Sequence, residues 1–201
     1  MKEEQDYIKD IAEIRSMMER SSKFLSLSGW AGIMAGLYAF AGAYLTYSSF
    51  GFNPDELFYT SPNLSKVVGL GIGVLVLALV TAIFFSKRKA DESGESIWNA
   101  TSRRLLSSMA VPLAAGGVLI LVLLAKGLIG VAAPLMLLFY GLALVNAGRY
   151  TITEVKIMGF VQIALGLVSA WFVEYGLLLW AVGFGAVHMM YGIYMYFSYE
   201  R

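Results

Sequence analysis

Apolar residues follow two patterns along this chain. From Glu3 to Ser22, Tyr7, Ile11, Ile14 and Met18 recur at four-three-four spacing with Ile8 and Met17 beside them, which predicts an amphipathic helix with one apolar stripe. Beyond residue 23 the pattern changes to long uncharged runs, expected at about 24–48, 67–85, 105–125, 128–147, 157–172 and 177–197. Most are long enough to cross ~30 Å of hydrocarbon at about 1.5 Å per residue. The expected fold is all-α, a polytopic bundle of six transmembrane helices over 24–201 preceded by a cytoplasmic amphipathic helix over 1–23.

Small residues add a packing pattern to the first run. Gly32, Ala35, Gly36, Ala39 and Ala43 recur at helical spacing and form a smooth face on which a second membrane helix can approach closely. Lys126 and Gly127 are the obvious turn between the third and fourth runs, so these are expected to be antiparallel neighbours. Pro112 is expected to loosen the third span in its second turn, and Pro134 to interrupt the fourth. Gly117 to Gly141 and Gly159 to Gly183 have equal separation, which gives Asn146 and His188 equivalent places in two hairpins and leaves open a weak internal repeat.

Composition supports the membrane reading, since 58% of the 201 residues are hydrophobic and only 14% charged, an excess that lipid must cover. Net charge is +1, so its distribution matters more than its sum. On the six-span layout 13 Lys and Arg fall on one side, and only Lys66 and Lys126 on the other. That asymmetry places both termini in the cytoplasm. The densely charged start is unlike a signal peptide, so no cleavage is expected. Cysteine is absent, which suits a bacterial inner membrane and removes thiolate chemistry. The charged connection between the second and third runs is read as stop-transfer flanks around a solvated loop, with an anionic-lipid or partner contact as the other reading.

Few polar side chains lie inside the runs, and each is costly there unless paired. Counted from the cytoplasmic ends, Asn146 lies within a turn, Gln162 about 8 Å in and His188 about 13 Å in. These three are the candidate lining of one polar cavity, with Ser107 and Ser108 at its mouth. The competing reading is interhelical hydrogen-bonding glue. A lone histidine without cysteines or carboxylates in the spans makes no metal site. The GxGxG of Gly69, Gly71 and Gly73 has no preceding strand, so it is no nucleotide motif. No nucleophile elbow or HExxH is present. No enzyme activity, cofactor or nucleic-acid binding is therefore expected.

The run IRSMMERSSKFLSLSGWAGIMAGLYAFAGAYL resembles the start of uncharacterised small bacterial multi-span inner-membrane proteins with a charged N-terminal helix. The resemblance covers about the first fifth of the chain and implies no activity. The leading expectation is a non-enzymatic interaction, regulatory or assembly protein with a cytoplasmic working face. Its stripe of Tyr7, Ile11, Ile14 and Met18 would meet a cytoplasmic partner or a second copy in a homo-oligomer. The alternative is a small-solute transporter or channel using the polar cavity near Asn146, Gln162 and His188.

Overall fold

A computed structural model describes residues 26–94 and 96–200. The expected helix over 1–23, with its stripe, lies outside the described residues. Among the described residues the chain is all-helical. Helix α1 spans Gly29–Phe50, α2 Leu64–Glu92, α3 Ala100–Ala125, α4 Ala132–Ala147 and α5 Thr153–Trp171. The last rod runs through α6 (Gly176–Trp180), a π-helical segment (Ala181–Val187) and α7 (His188–Tyr199). Short 3-10 turns, Ile129–Val131 and Val173–Tyr175, lead into α4 and α6.

Five stretches are long and apolar enough to cross a membrane: α2, α3, α4 with its 3-10 turn, α5 and the last rod. Helix α1 has 22 residues and no charged side chain, but its glycines, serines and tyrosines make it less apolar than these. Lys66 and Lys87 bracket the uncharged stretch of α2 about 32 Å apart, and Arg104 and Lys126 that of α3 about 33 Å apart. Both intervals match ~30 Å of hydrocarbon. At 29 residues, about 43 Å, α2 continues past Lys87 by more than a turn of charged helix.

Local chemistry sets the helix ends. Asn99 caps α3, its side chain accepting from the Ser102 backbone N–H at 2.8 Å while Ser102 Oγ accepts from the Asn99 N–H at 3.0 Å. Gly51 ends α1 in the left-handed region at φ 58, and Gly127 makes the α3–α4 turn at φ 79.

The two prolines behave differently. Pro112 lies well inside α3, which starts at Ala100 and stays helical through it. Pro134 interrupts nothing: it is the third residue of α4, where its missing N–H would have had no helical partner.

Helix α1 is the hinge of the packing, with α2 on one side and the last rod on the other. Helices α4 and α5 form the most intimate pair, α3 leans on α4, and the last rod also meets α4 and α5. The closest approaches are made at glycines. A Cβ on Gly141 would lie 2.7 Å from the Gly159 carbonyl oxygen, and one on Gly159 would lie 2.8 Å from that of Gly141. Gly117, by contrast, faces open space, so the two equally spaced glycine pairs do not have equivalent surroundings.

At the loop end, the 51–63 connection folds over the α3–α4 turn, and the Gly130 N–H donates to the Leu57 carbonyl at 3.1 Å. At the terminal end, where the described chain begins and finishes, Leu105, Leu144, Ile152, Val155, Met158 and Met195 form a buried apolar cluster.

Candidate functional site

The smooth face of α1 is occupied by the same chain. Cβ atoms on Gly29 and Gly32 would meet Gly192 backbone at 2.5 and 3.0 Å, and one on Gly36 would reach the Gly185 carbonyl oxygen at 2.6 Å. Ala39 and Ala43 are buried and Ala35 half-buried. The opposite face carries Gly42 against Val74 and a hydrogen bond between Tyr38 and Thr81 hydroxyls at 3.2 Å.

The α1 seam places the π-helical segment at the centre of the bundle. Its glycines leave room for neighbouring side chains: a Cβ on Gly183 would strike Leu137 and lie 2.6 Å from Gln162 Oε1, and one on Gly185 would press on the Phe40 ring at 2.8 Å. Within a membrane, irregular helical backbone is tolerated where neighbouring side chains supply donors. The Gly183 carbonyl receives two, Gln162 Nε2 at 2.8 Å and His188 Nδ1 at 3.0 Å. A carbonyl only accepts, so Nδ1 carries the proton. In the neutral ring Nε2 is then the acceptor, and the Tyr140 hydroxyl donates to it at 2.9 Å.

Aromatic stacking holds the imidazole in place. Trp180, Phe184 and His188 stand at successive i, i+4 positions, with ring centroids 5.1 and 5.7 Å apart. Tyr140 lies against Phe184 at 5.1 Å and against His188 at 5.4 Å. Gln162 is fully buried, and its Oε1 faces the Gly183 Cα without a hydrogen-bond partner; Ser169 Oγ and Tyr191 OH are likewise buried and unpaired. The absence of a side chain on Gly183 lets the carboxamide lie flat along the backbone, its N–H on the carbonyl and its oxygen over the Cα.

The structure thus brings together Gln162 and His188 but not Asn146. Asn146 Nδ2 reaches the Ser108 carbonyl of α3 at a long 3.5 Å. The physical reason is four residues ahead: Pro112 has no N–H, so the carbonyl at i−4, that of Ser108, loses its helical donor. Asn146 is the replacement. Ser108 Oγ bonds back to the Leu105 carbonyl at 2.7 Å, and exposed Ser107 does the same to Arg104 at 3.0 Å. Both hydroxyls are satisfied within α3.

A second polar junction, at the terminal end, has no local sequence signal. Glu200 Oε1 accepts from the Gly29 N–H at 2.8 Å and from Lys89 Nζ at 3.1 Å, and Lys89 also donates to the Leu27 carbonyl at 2.7 Å. The side chains are only 18% and 13% exposed, so the pair is well shielded from solvent. It ties the start of α1, the end of α2 and the residue after α7 into one knot, with a carboxylate at the positive end of α1. Ser86 and Ala90, the buried residues of α2, flank Lys89. Pairing across 111 residues could not be anticipated from spacing; the one available hint was that Lys89 precedes an alanine on an otherwise charged helix end.

Among the described residues no three His, Asp or Glu side chains gather as metal ligands. The chemistry of both junctions is hydrogen bonding from side chains to backbone groups, at helix ends in one and in the π-helical segment in the other. No protein-family model, curated protein or solved structure matches this chain.

Proposed function

We propose that this chain is a six-span, non-enzymatic protein of a bacterial inner membrane, with both termini in the cytoplasm and its terminal end as the working face for an interaction, regulatory or assembly role. Helix α1 is the sixth span. The observation that carries the reading is where polar capacity is spent. Gln162, His188 and Asn146 donate to backbone carbonyls. Such bonds stabilise a bundle, and the buried polar atoms left over are Gln162 Oε1, Ser169 Oγ and Tyr191 OH. Charged side chains instead crowd the terminal end, where Lys87, Arg88, Arg103, Arg104, Arg149 and Lys156 are all exposed. The loop end holds Lys66 and Lys126. Lys and Arg excess marks the cytoplasmic side.

Partner binding at that face, through a cytoplasmic protein or a second copy, also engages the stripe of Tyr7, Ile11, Ile14 and Met18. Deleting residues 2–20 is expected to leave an inserted bundle of unchanged thermal stability while reducing oligomer size or releasing the partner. Reporter fusions after Lys89 and Lys156 are expected to read cytoplasm, and one at Asn63 the outside. The transport alternative predicts solute flux in proteoliposomes that His188→Leu abolishes. Such flux, with no change on deletion of 2–20, would overturn the interaction reading.

A further inference from the structure

We propose that a groove between α5 and the last rod holds a phospholipid with a primary-amine headgroup, its acyl chain lying along the groove and its ammonium on Glu154. The site rests on the membrane placement above and on no protein partner. Helix α5 meets α6 and the π-helical segment, but it draws away from α7 toward the terminal end. The recess left between them has a volume of about 440 Å³, within the ~300–1,000 Å³ of small-ligand pockets. Ile157 of α5 and Met190 of α7, 58% and 70% exposed, open it to the lipid side. Met158, a member of the buried terminal-end cluster, and Tyr191, packed against that cluster, make its floor.

The recess is polar at one end only. Glu154, in the first turn of α5, is its one charged lining residue among those described, and it lies between Arg149 and Lys156 at the polar edge of the helix. Seven residues further along their helices from Glu154 and Tyr194, Val161 and Val187 line the other end, about 10 Å deeper. The Tyr199 hydroxyl donates to Glu154 Oε1 at 3.0 Å, which bridges the two helices across the mouth and holds the carboxylate there. A carboxylate has acceptor capacity beyond one hydroxyl. Lys156 does not take it up, because its ammonium lies over the Phe160 ring at 6.0 Å.

Length and charge select the occupant. A groove about 10 Å long is a third of the ~30 Å over which a membrane helix packs, so a second copy would find only a fragment of a seam. A single acyl chain fits that length. At the mouth, the carboxylate repels a lipid phosphate and attracts an ammonium. A primary ammonium also donates hydrogen bonds to the carboxylate, which a quaternary one lacks.

The test places the full chain in phosphatidylcholine bilayers with a trace of phosphatidylethanolamine or phosphatidylcholine that carries a photoreactive diazirine midway along one acyl chain. Peptide mass spectrometry then maps the adducts. In wild type, labelling around Val161 and Val187, relative to Ile72–Val80 of α2, is expected to be about fivefold higher from the ethanolamine lipid, the scale of one interfacial charge pair. Glu154→Gln is expected to bring the two lipids level, and Glu174→Gln, at the other end of the last rod, to keep the difference. Equal labelling by both lipids in wild type, which requires no variant to fold, would overturn the site while adducts on α2 leave the membrane placement standing. A preference that survives in Glu154→Gln would overturn it too, as would groove labelling that vanishes as the protein-to-lipid ratio rises, the mark of a second copy. Absence of adducts on α2 as well would overturn the membrane placement and the site with it.

Discussion

Of the five stretches apolar enough to cross a membrane, α2 is the most apolar and the least buried, whereas α5 is the least apolar and has a third of its apolar stretch buried. Helix α3 sides with α2, and α4 and the last rod with α5. In a water-soluble protein the order would be reversed, because burial is what apolar residues gain from folding. Here lipid is the solvent for α2 and α3, and the inner helices associate by close backbone approach and hydrogen bonds. Glycine shows the same division. Gly141, Gly159 and Gly192 face neighbouring backbone, while Gly69, Gly71, Gly73 and Gly117 face open space.

The largest effect should come from enlarging a glycine of the inner seam. A Cβ on Gly192 would lie 2.5 Å from the Gly29 carbonyl oxygen, so Gly192→Leu is expected to cost about 3 kcal/mol or prevent folding. Gly73→Leu is expected to stay within about 0.5 kcal/mol, as an exposed change does. Thermal unfolding of both in detergent makes the comparison; equal losses would mean that α2 is packed against something.

The terminal knot comes next. Glu200→Ala leaves Lys89 without its carboxylate and the α1 N-terminus without its acceptor, for an expected loss of about 2 kcal/mol. The end of α2 should detach first. Disulfide formation in a Trp30→Cys/Phe85→Cys pair, whose native rings lie 6.5 Å apart, should therefore slow when Glu200 is replaced. An unchanged rate would show that α2 docks without the knot.

At the π-helical junction the expected cost is about 1 kcal/mol for Gln162→Leu, because His188 still donates to the Gly183 carbonyl. Replacing both by Leu should cost more than the two single changes added, since only then does the carbonyl lose both side-chain donors. Additive losses would show that the two donors act independently.

The smallest effect sharpens the account of Asn146. Asn146→Leu is expected to cost about 0.6 kcal/mol in the natural chain and nothing in a Pro112→Ala background, where the restored N–H serves the Ser108 carbonyl. Equal costs in both backgrounds would separate Asn146 from the proline.

Legibility in the sequence followed the range of the interaction. The small face of α1 could be read from Gly32, Ala35, Gly36, Ala39 and Ala43 because helical spacing alone brings them to one side. The partner on that face could not, since Gly185 and Gly192 lie far along the chain. His188 and Gln162 stood out as costly polar groups in apolar runs, but their meeting point is a carbonyl inside AVGFGAV, a stretch with no local mark of π geometry. Asn146 was visible while its reason was not, because the carbonyl it serves is exposed by a proline on another helix. Lys89 and Glu200 looked like ordinary charges near helix ends; burial at a three-element junction distinguishes them.

The most direct test of lipid as the solvent of the outlying helices uses the chain's lack of cysteine, which makes any introduced thiol unique. Single cysteines at Ile72, Val76, Leu79, Val80 and Ile83 of α2, spin-labelled in reconstituted bilayers, can be compared for collision with oxygen and with a water-soluble nickel complex. All five are predicted to show high oxygen and low nickel access, with nickel access rising only beyond Lys66 and Lys87. High nickel access at Val76 or Leu79, midway along the helix, would contradict the account.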